Sequence, residues 1–359
     1  MAKRKNARRY IQARIAFTAL LLCAGSWCCT LRAQTPPAVP PATPLYKEFV
    51  DETGRTVRVP QPVQRIVSLA PSLTETIYAL GLQDRLVGDT DYCDYPADAQ
   101  KKPKVGGAIN PSLEQIVALR PDLVLVAKSL NRLETVNALD GLGIPSYAID
   151  PHTVQEIVSS TERLAEVLGV QDAGATLGAD LEHQLTELKQ RLNGVAPRHV
   201  LFVVWSDPLI SVGKNTFIAD ALVRAGATSI VDSQQDWPQM SLEEVVRLQP
   251  EFLVFAESHS DSGENQFDVV AARPGWRGLD AVRNRRFAVI SDAVNRPAPR
   301  IVSAIEDLAR QLHPEAFSAH PDDEKEKKNP PPLQPQASAR VLDPRGTNPA
   351  FSEACACAH

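Results

Sequence analysis

The side chains best suited to chemistry sit in a handful of loops. Tyr92, Tyr95, Trp205 and Trp237 offer flat apolar surface with a polar handle, while Asp292 and Arg296 offer charge. None of them belongs to a motif for a common reaction. Gly213-Lys214-Asn215 lacks both the Ser/Thr and the upstream glycine of a phosphate loop, and Gly141-Leu-Gly143 precedes a strand rather than opening a dinucleotide-binding helix. No HExxH or GxSxG occurs, and the seven histidines are scattered. Cys93, beside aromatics, reads as a packed thiol and not a nucleophile. The chain reads as a binding protein, not an enzyme, with no cofactor and no metal of its own.

The elements that must position these loops are organised around a repeat. Ser112-Leu-Glu-Gln-Ile-Val-Ala-Leu-Arg-Pro-Asp-Leu-Val-Leu-Val-Ala127 returns as Ser241-Leu-Glu-Glu-Val-Val-Arg-Leu-Gln-Pro-Glu-Phe-Leu-Val-Phe-Ala256, with seven of sixteen positions identical. Each copy opens like a capped helix, Ser112 or Ser241 standing three residues before Gln115 or Glu244. Each helix must stop before its proline, Pro121 or Pro250, and a short apolar run then reads as a buried strand. Glu114 and Glu243 fall at the same place in the two copies. Two copies of one helix–strand unit imply two similar lobes.

The chain around the repeat agrees. A hairpin is expected over Phe49–Val59, then strands at 65–70, 86–88 and 143–149 and helices at 73–80, 131–142 and 154–168. From Asp172 to Leu192 an apolar stripe at Leu177, Leu181, Leu185, Leu188 and Leu192 predicts one long helix, well placed to join the lobes. Strands at 199–204 and 286–290 and helices at 216–225 and 300–312 repeat the alternation. The expected fold is α/β: two Rossmann-like lobes with mostly parallel sheets, joined by a single long backbone helix. The expected boundaries are an N-terminal lobe at 45–170, the connecting helix at 171–194 and a C-terminal lobe at 195–315. In open parallel sheets the ligand crevice lies beyond the carboxyl ends of the strands, so the informative loops would meet across a cleft.

The ends are of another kind. Residues 1–33 carry seven Lys/Arg and no acid, with an uncharged, mostly apolar run from Ile15 to Leu31. They read as an export signal peptide, and an anchored N-terminus is the alternative. Residues 34–44 form a proline-rich linker, and 316–359 read as a charged, proline-rich disordered tail. Without the first 33 residues, 31 basic groups stand against 43 acidic ones. That balance argues against nucleic acid as a partner.

These stations together resemble a known family. Ser68-Leu-Ala-Pro-Ser-Leu-Thr-Glu75, Asp91-Tyr-Cys-Asp-Tyr-Pro96, Leu113–Val124, Trp237-Pro-Gln-Met-Ser-Leu-Glu243, and Ser291-Asp292 through Arg296 to Ala298-Pro-Arg300 carry the likeness. They resemble the periplasmic substrate-binding proteins of ABC importers for cobalamin and iron–siderophores, most of all the cobalamin binders. The resemblance implies a periplasmic monomer that captures a corrinoid between its lobes and delivers it to membrane permease subunits. It implies ligand contacts at Tyr92, Trp237, Asp292 and Arg296, to which the cleft loops add Pro71 and Trp205. It also implies that Glu114 and Glu243 dock onto permease arginines, against the plain alternative of acids complementing a helix dipole. One departure stands out: Gly106-Gly-Ala108 and Ala127-Lys-Ser129 occupy loops where such cobalamin binders place tryptophans. An iron–siderophore or haem is therefore an alternative cargo, and a secreted scaffold reusing the fold is an alternative of another class.

Overall fold

A computed structural model describes residues 45–257 and 266–318. The expected signal peptide, the linker and the tail beyond Ser318 lie outside the described residues. Strands β1 (Leu45–Val50) and β2 (Thr56–Gln61) pair antiparallel as the expected hairpin. Asp51 builds its turn: Oδ1 accepts from the Thr53 N–H, the Thr53 hydroxyl and the Arg55 N–H. Burial works against the Asp51 charge, but these bonds outweigh it and lower the pKa.

The first lobe runs β3 (Ile66–Ser68), α1 (Pro71–Ala79), β4 (Leu86–Gly88), α2 (Leu113–Leu119), β5 (Leu123–Ala127), α3 (Leu133–Gly141) and β6 (Ser146–Ile149). Its sheet has the order β4-β3-β5-β6, every pair parallel. All five residues of β5 are buried, because helices cover both faces of the sheet. Leu123 and Leu125 pack towards Leu73 and Ile77 of α1. Val124 and Val126 pack on the other side towards Ile116 of α2 and Leu139 of α3.

Helices α4 (Val154–Val167) and α5 (Gln171–Arg191) follow. At 1.5 Å per residue α5 is about 31 Å long, enough to span a small domain. It is the expected connection, but α4 accompanies it. Val154, Ile157 and Val158 of α4 lie in the core of the second lobe with Leu181 and Leu185, whereas Leu164, Ala165 and Val167 lie in that of the first. The two helices approach closely because α5 carries glycine at the contact. A Cβ on Gly174 would collide with Ala165, and one on Gly178 with Glu162.

The second lobe contains β7 (Arg198–Val203), the small hairpin β8 (Trp205–Ser206) and β9 (Leu209–Ile210), α6 (Phe217–Arg224), β10 (Ala227–Ser229), α7 (Leu242–Leu248) and β11 (Phe252–Ala256). After them come α8 (Gln266–Ala272), α9 (Asp280–Arg283), β12 (Phe287–Ile290), α10 (Ile301–Leu312) and α11 (Pro314–Phe317). Its main sheet is again parallel, with the order β10-β7-β11-β12. Numbered within each lobe, both sheets run second, first, third, fourth strand. The repeat seen in sequence is a repeat of topology.

Two helix starts differ from expectation by two residues. The first helix begins at Pro71 rather than Leu73, since proline at the first helical position has the right φ and no N–H to strand. The helix expected from residue 131 begins at Leu133, because the Asn131 side chain is engaged elsewhere. In both repeats the serine cap forms: Ser112 Oγ accepts from the Gln115 N–H and Ser241 Oγ from the Glu244 N–H.

Candidate functional site

The two lobes meet in a cluster of five charged side chains drawn from the segments that follow the carboxyl ends of three strands. Glu75 comes from α1, which follows β3, and Asp94 from the loop after β4. Asp292, Arg296 and Arg300 come from the segment between β12 and α10. Arg300 forks onto Glu75, with Nε 2.9 Å from Oε2 and Nη2 2.9 Å from Oε1. Its Nη1 donates to Asp292 Oδ1 at 2.8 Å. Arg296 donates to Glu75 Oε1 at 2.8 Å, and its Nη2 is 2.7 Å from Asp94 Oδ1 and 3.6 Å from Asp292 Oδ2. The Arg300 guanidinium also lies 4.0 Å from the centre of the Tyr95 ring, a cation–π contact.

Burial makes this cluster consequential. The Glu75 side chain is 3% exposed and that of Arg296 15%, so neither charge is tolerable without the other. Burial works against the charge on Arg296, but Asp94 and Glu75 outweigh it and raise the pKa. The same opposition, with hydrogen bonds to Glu75 and Asp292 prevailing, raises that of Arg300. Both arginines stay charged at any physiological pH, and the lobes are tied by bidentate charge-assisted bonds.

Two polar side chains hold the first-lobe loops behind the cluster. Asn131 is buried and uses all of its amide: Oδ1 accepts from the Ala127 N–H, while Nδ2 donates to Leu69 O and Ala108 O. It thereby ties the loop after β3, the loop before α2 and the end of β5 into one knot. Lys104 pins the Asp94 and Tyr95 loop, donating to Asp89 Oδ1 at 2.8 Å and to the carbonyls of Cys93 and Ala99, each at 3.1 Å. Burial pushes the Asp89 carboxyl up to about 6, with Lys104 opposing, and its Oδ2 is buried with no hydrogen-bond partner among the described residues. Cys93 is buried under the same loop, 3.2 Å from both Thr74 Oγ1 and Thr90 Oγ1. Burial, with Asp89 adding to it, pushes the thiol up to about 11, which suits a packed residue.

Of the residues singled out from sequence, the structure brings Asp292 and Arg296 into the cluster. Pro71 lies at the start of α1, one turn before Glu75, and so helps to aim it. Tyr92 is half-buried in the loop that carries Asp94 and Tyr95. Trp237 is half-buried against the core of its own lobe. Trp205 is exposed, and its indole N–H turns back to Asp207 O at 2.8 Å. Glu114 and Glu243 stand exposed in the first turns of α2 and α7. Sequence reasoning had passed over Glu75, Asp94 and Arg300 as site residues. A signal existed for Glu75, an acid among the apolar residues of a buried helix, since such a charge demands a partner.

The architecture matches proteins already known. Residues 66–294 match the periplasmic binding protein family model. The vitamin B12-binding protein of Vibrio parahaemolyticus is 31% identical over 255 residues, which are 70% of this chain and 90% of that protein. An uncharacterised ABC transporter substrate-binding lipoprotein of Bacillus subtilis, YvrC, is 30% identical over 275 residues, 74% of this chain and 85% of the relative. Among solved structures, the periplasmic vitamin B12 binding protein BtuF of Vibrio cholerae superposes with a TM-score of 0.62 at 28% identity, covering 72% of this chain and 99% of its own. The periplasmic haem-binding protein RhuT of Roseiflexus sp. RS-1 superposes with 0.63 at 26% identity, covering 71% and 99%. Family, fold and an interlobe site agree: this chain is a solute-binding protein outside the cytoplasm, not an enzyme, and belongs to the periplasmic binding protein family.

Proposed function

We propose that the protein captures a corrinoid in the cleft between its lobes and delivers it to the permease subunits of an ABC importer. The observation that carries this reading is the interlobe cluster. Asp292 and Arg296, the positions that the resemblance gives to ligand contact, lie at the seam, with Tyr92 and Tyr95 on the facing loop. Acids and guanidiniums set close together can accept from and donate to the amide side chains around a corrin ring. Relatives named vitamin B12-binding proteins support the same cargo. The corrinoid is carried, not used, and the protein acts as a periplasmic monomer without a cofactor. Glu114 and Glu243 present the two lobes to arginines of the two permease subunits, one carboxylate to each.

Titration of the full chain with cyanocobalamin tests the cargo, read by calorimetry and by tryptophan quenching. Saturable one-to-one binding in the micromolar range or tighter is expected, weakened by at least about tenfold in Arg296→Ala, which leaves Glu75 and Asp94 short of a partner. Absence of binding, with saturable uptake of haemin instead, would replace the corrinoid by the haem carried by relatives such as RhuT.

A further inference from the structure

We propose that Glu75 is the specificity-determining residue of the interlobe site, setting a preference for amide-bearing macrocycles over carboxylate-bearing ones. The inference rests on the corrinoid reading and narrows it to the charge of the ligand.

Arginines facing a ligand cleft ordinarily serve to hold carboxylates. Here both guanidiniums are already matched. Arg300 forks onto Glu75, Arg296 binds Glu75 and Asp94, and both meet Asp292. Three carboxylates against two guanidiniums leave the cluster formally one charge negative. An incoming carboxylate therefore meets three fixed acids, and must displace one of them from an arginine and leave it buried without a partner. A primary amide faces no such conflict. Its N–H donates to an acid and its carbonyl accepts from an arginine, so it inserts between the two and strands neither.

Glu75 dominates this selection for two reasons. It is the acid that holds both arginines by short hydrogen bonds. Its side chain is 3% exposed, against 37% for Asp94, so water screens its charge least. Glu75 thus keeps the arginines in place and, in the same act, cancels their attraction for anionic cargo.

The test uses the full chain as wild type, Glu75→Gln and Asp94→Asn. Each is titrated with cyanocobalamin and with cobyrinic acid, which keeps the ring and the metal but carries carboxylates in place of side-chain amides. The wild type is expected to prefer cyanocobalamin. Glu75→Gln, similar in size and still an acceptor, is expected to narrow that preference by at least about tenfold, mainly by tightening the acid ligand. Asp94→Asn moves the ratio the same way by a smaller factor, and carries the test should Glu75→Gln fail to fold by circular dichroism. A ratio unchanged in the folded variants overturns the role of Glu75, as does a wild type that binds both ligands equally. A wild type that binds neither corrinoid overturns the cargo reading itself, and this inference with it.

Discussion

The two lobes share one topology and one repeated helix–strand unit, yet they are secured differently. In both units a serine caps the helix, and a non-glycine residue in the left-handed region ends it, Arg120 at φ 47° and Gln249 at φ 43°. Each repeat also ties the acid after its proline back to the first strand, Asp122 accepting from the Arg65 N–H and Glu251 from the His199 N–H; the other ties differ. In the first lobe the cleft loops are tied from within by Asn131 and Lys104. In the second, the Gln249 side chain that ends the repeat helix accepts from the Asp280 N–H at 3.0 Å and donates to Gly278 O at 3.1 Å. The difference separates two roles. What both lobes keep, a glutamate in the first turn of a capped helix, suits a partner that must see them alike. What they do not keep includes the Asn131 and Lys104 ties behind the interlobe cluster, where the two lobes have no need to match.

The largest expected effect breaks that equivalence outright. Glu114→Arg with Glu243→Arg is expected to abolish corrinoid uptake by cells while leaving ligand affinity unchanged, since both side chains are exposed on the repeat helices. Each single variant should lose uptake to a similar, intermediate degree. Normal transport by the double variant would sink the docking role. Full loss from one single variant with none from the other would show that the lobes are not read alike.

The repeat, the alternation of strands and helices and the long connecting helix were legible because each depends on local pattern: a cap, a proline stop, an apolar stripe. The cluster at the seam was legible only at two of its five residues. Asp292 and Arg296 lie four residues apart in a recognisable loop, but the pairing of Arg300 with Glu75 joins residues 225 positions apart. No periodicity records such a contact. The same holds for α4, whose apolar face reads as one continuous stripe although half of it lies in each core. Asn131 looked like the start of a helix, since asparagine often is one; its buried bonds to two loops and the end of β5 follow only from the fold.

Asn131 also gives the next test. Asn131→Ala removes three buried hydrogen bonds from the first lobe, and nothing in the second-lobe repeat compensates. A loss of about 3 kcal/mol in urea unfolding is expected, together with weakened corrinoid binding. Unchanged affinity would mean that the knot serves stability alone.

A smaller asymmetry concerns pH. Asp89 in the first lobe has its carboxyl raised to about 6 by burial, Lys104 notwithstanding. Between its ordinary value near 4 and 6 the folded state holds more protons at this group than the unfolded chain does. Its contribution is therefore most favourable below about pH 4, falls as pH rises to about 6 and is level above it, an effect of about 3 kcal/mol. Asp89→Asn should flatten that part of the stability curve, measured by thermal unfolding from pH 4 to 7. A slope equal to that of the wild type would show that Asp89 is ionised throughout.

The smallest effect compares the two helix ends directly. A side chain in the left-handed region costs about 1 kcal/mol relative to glycine. Arg120 is exposed and its side chain makes no hydrogen bond or ion pair among the described residues, so Arg120→Gly should stabilise the protein by about that amount. Gln249→Gly relieves the same backbone but removes the bonds to Gly278 and Asp280, together worth about 1–2 kcal/mol, so it should bring no gain or a slight loss. Equal gains from both variants would mean that the amide of Gln249 adds nothing, and that the two repeats end in the same way after all.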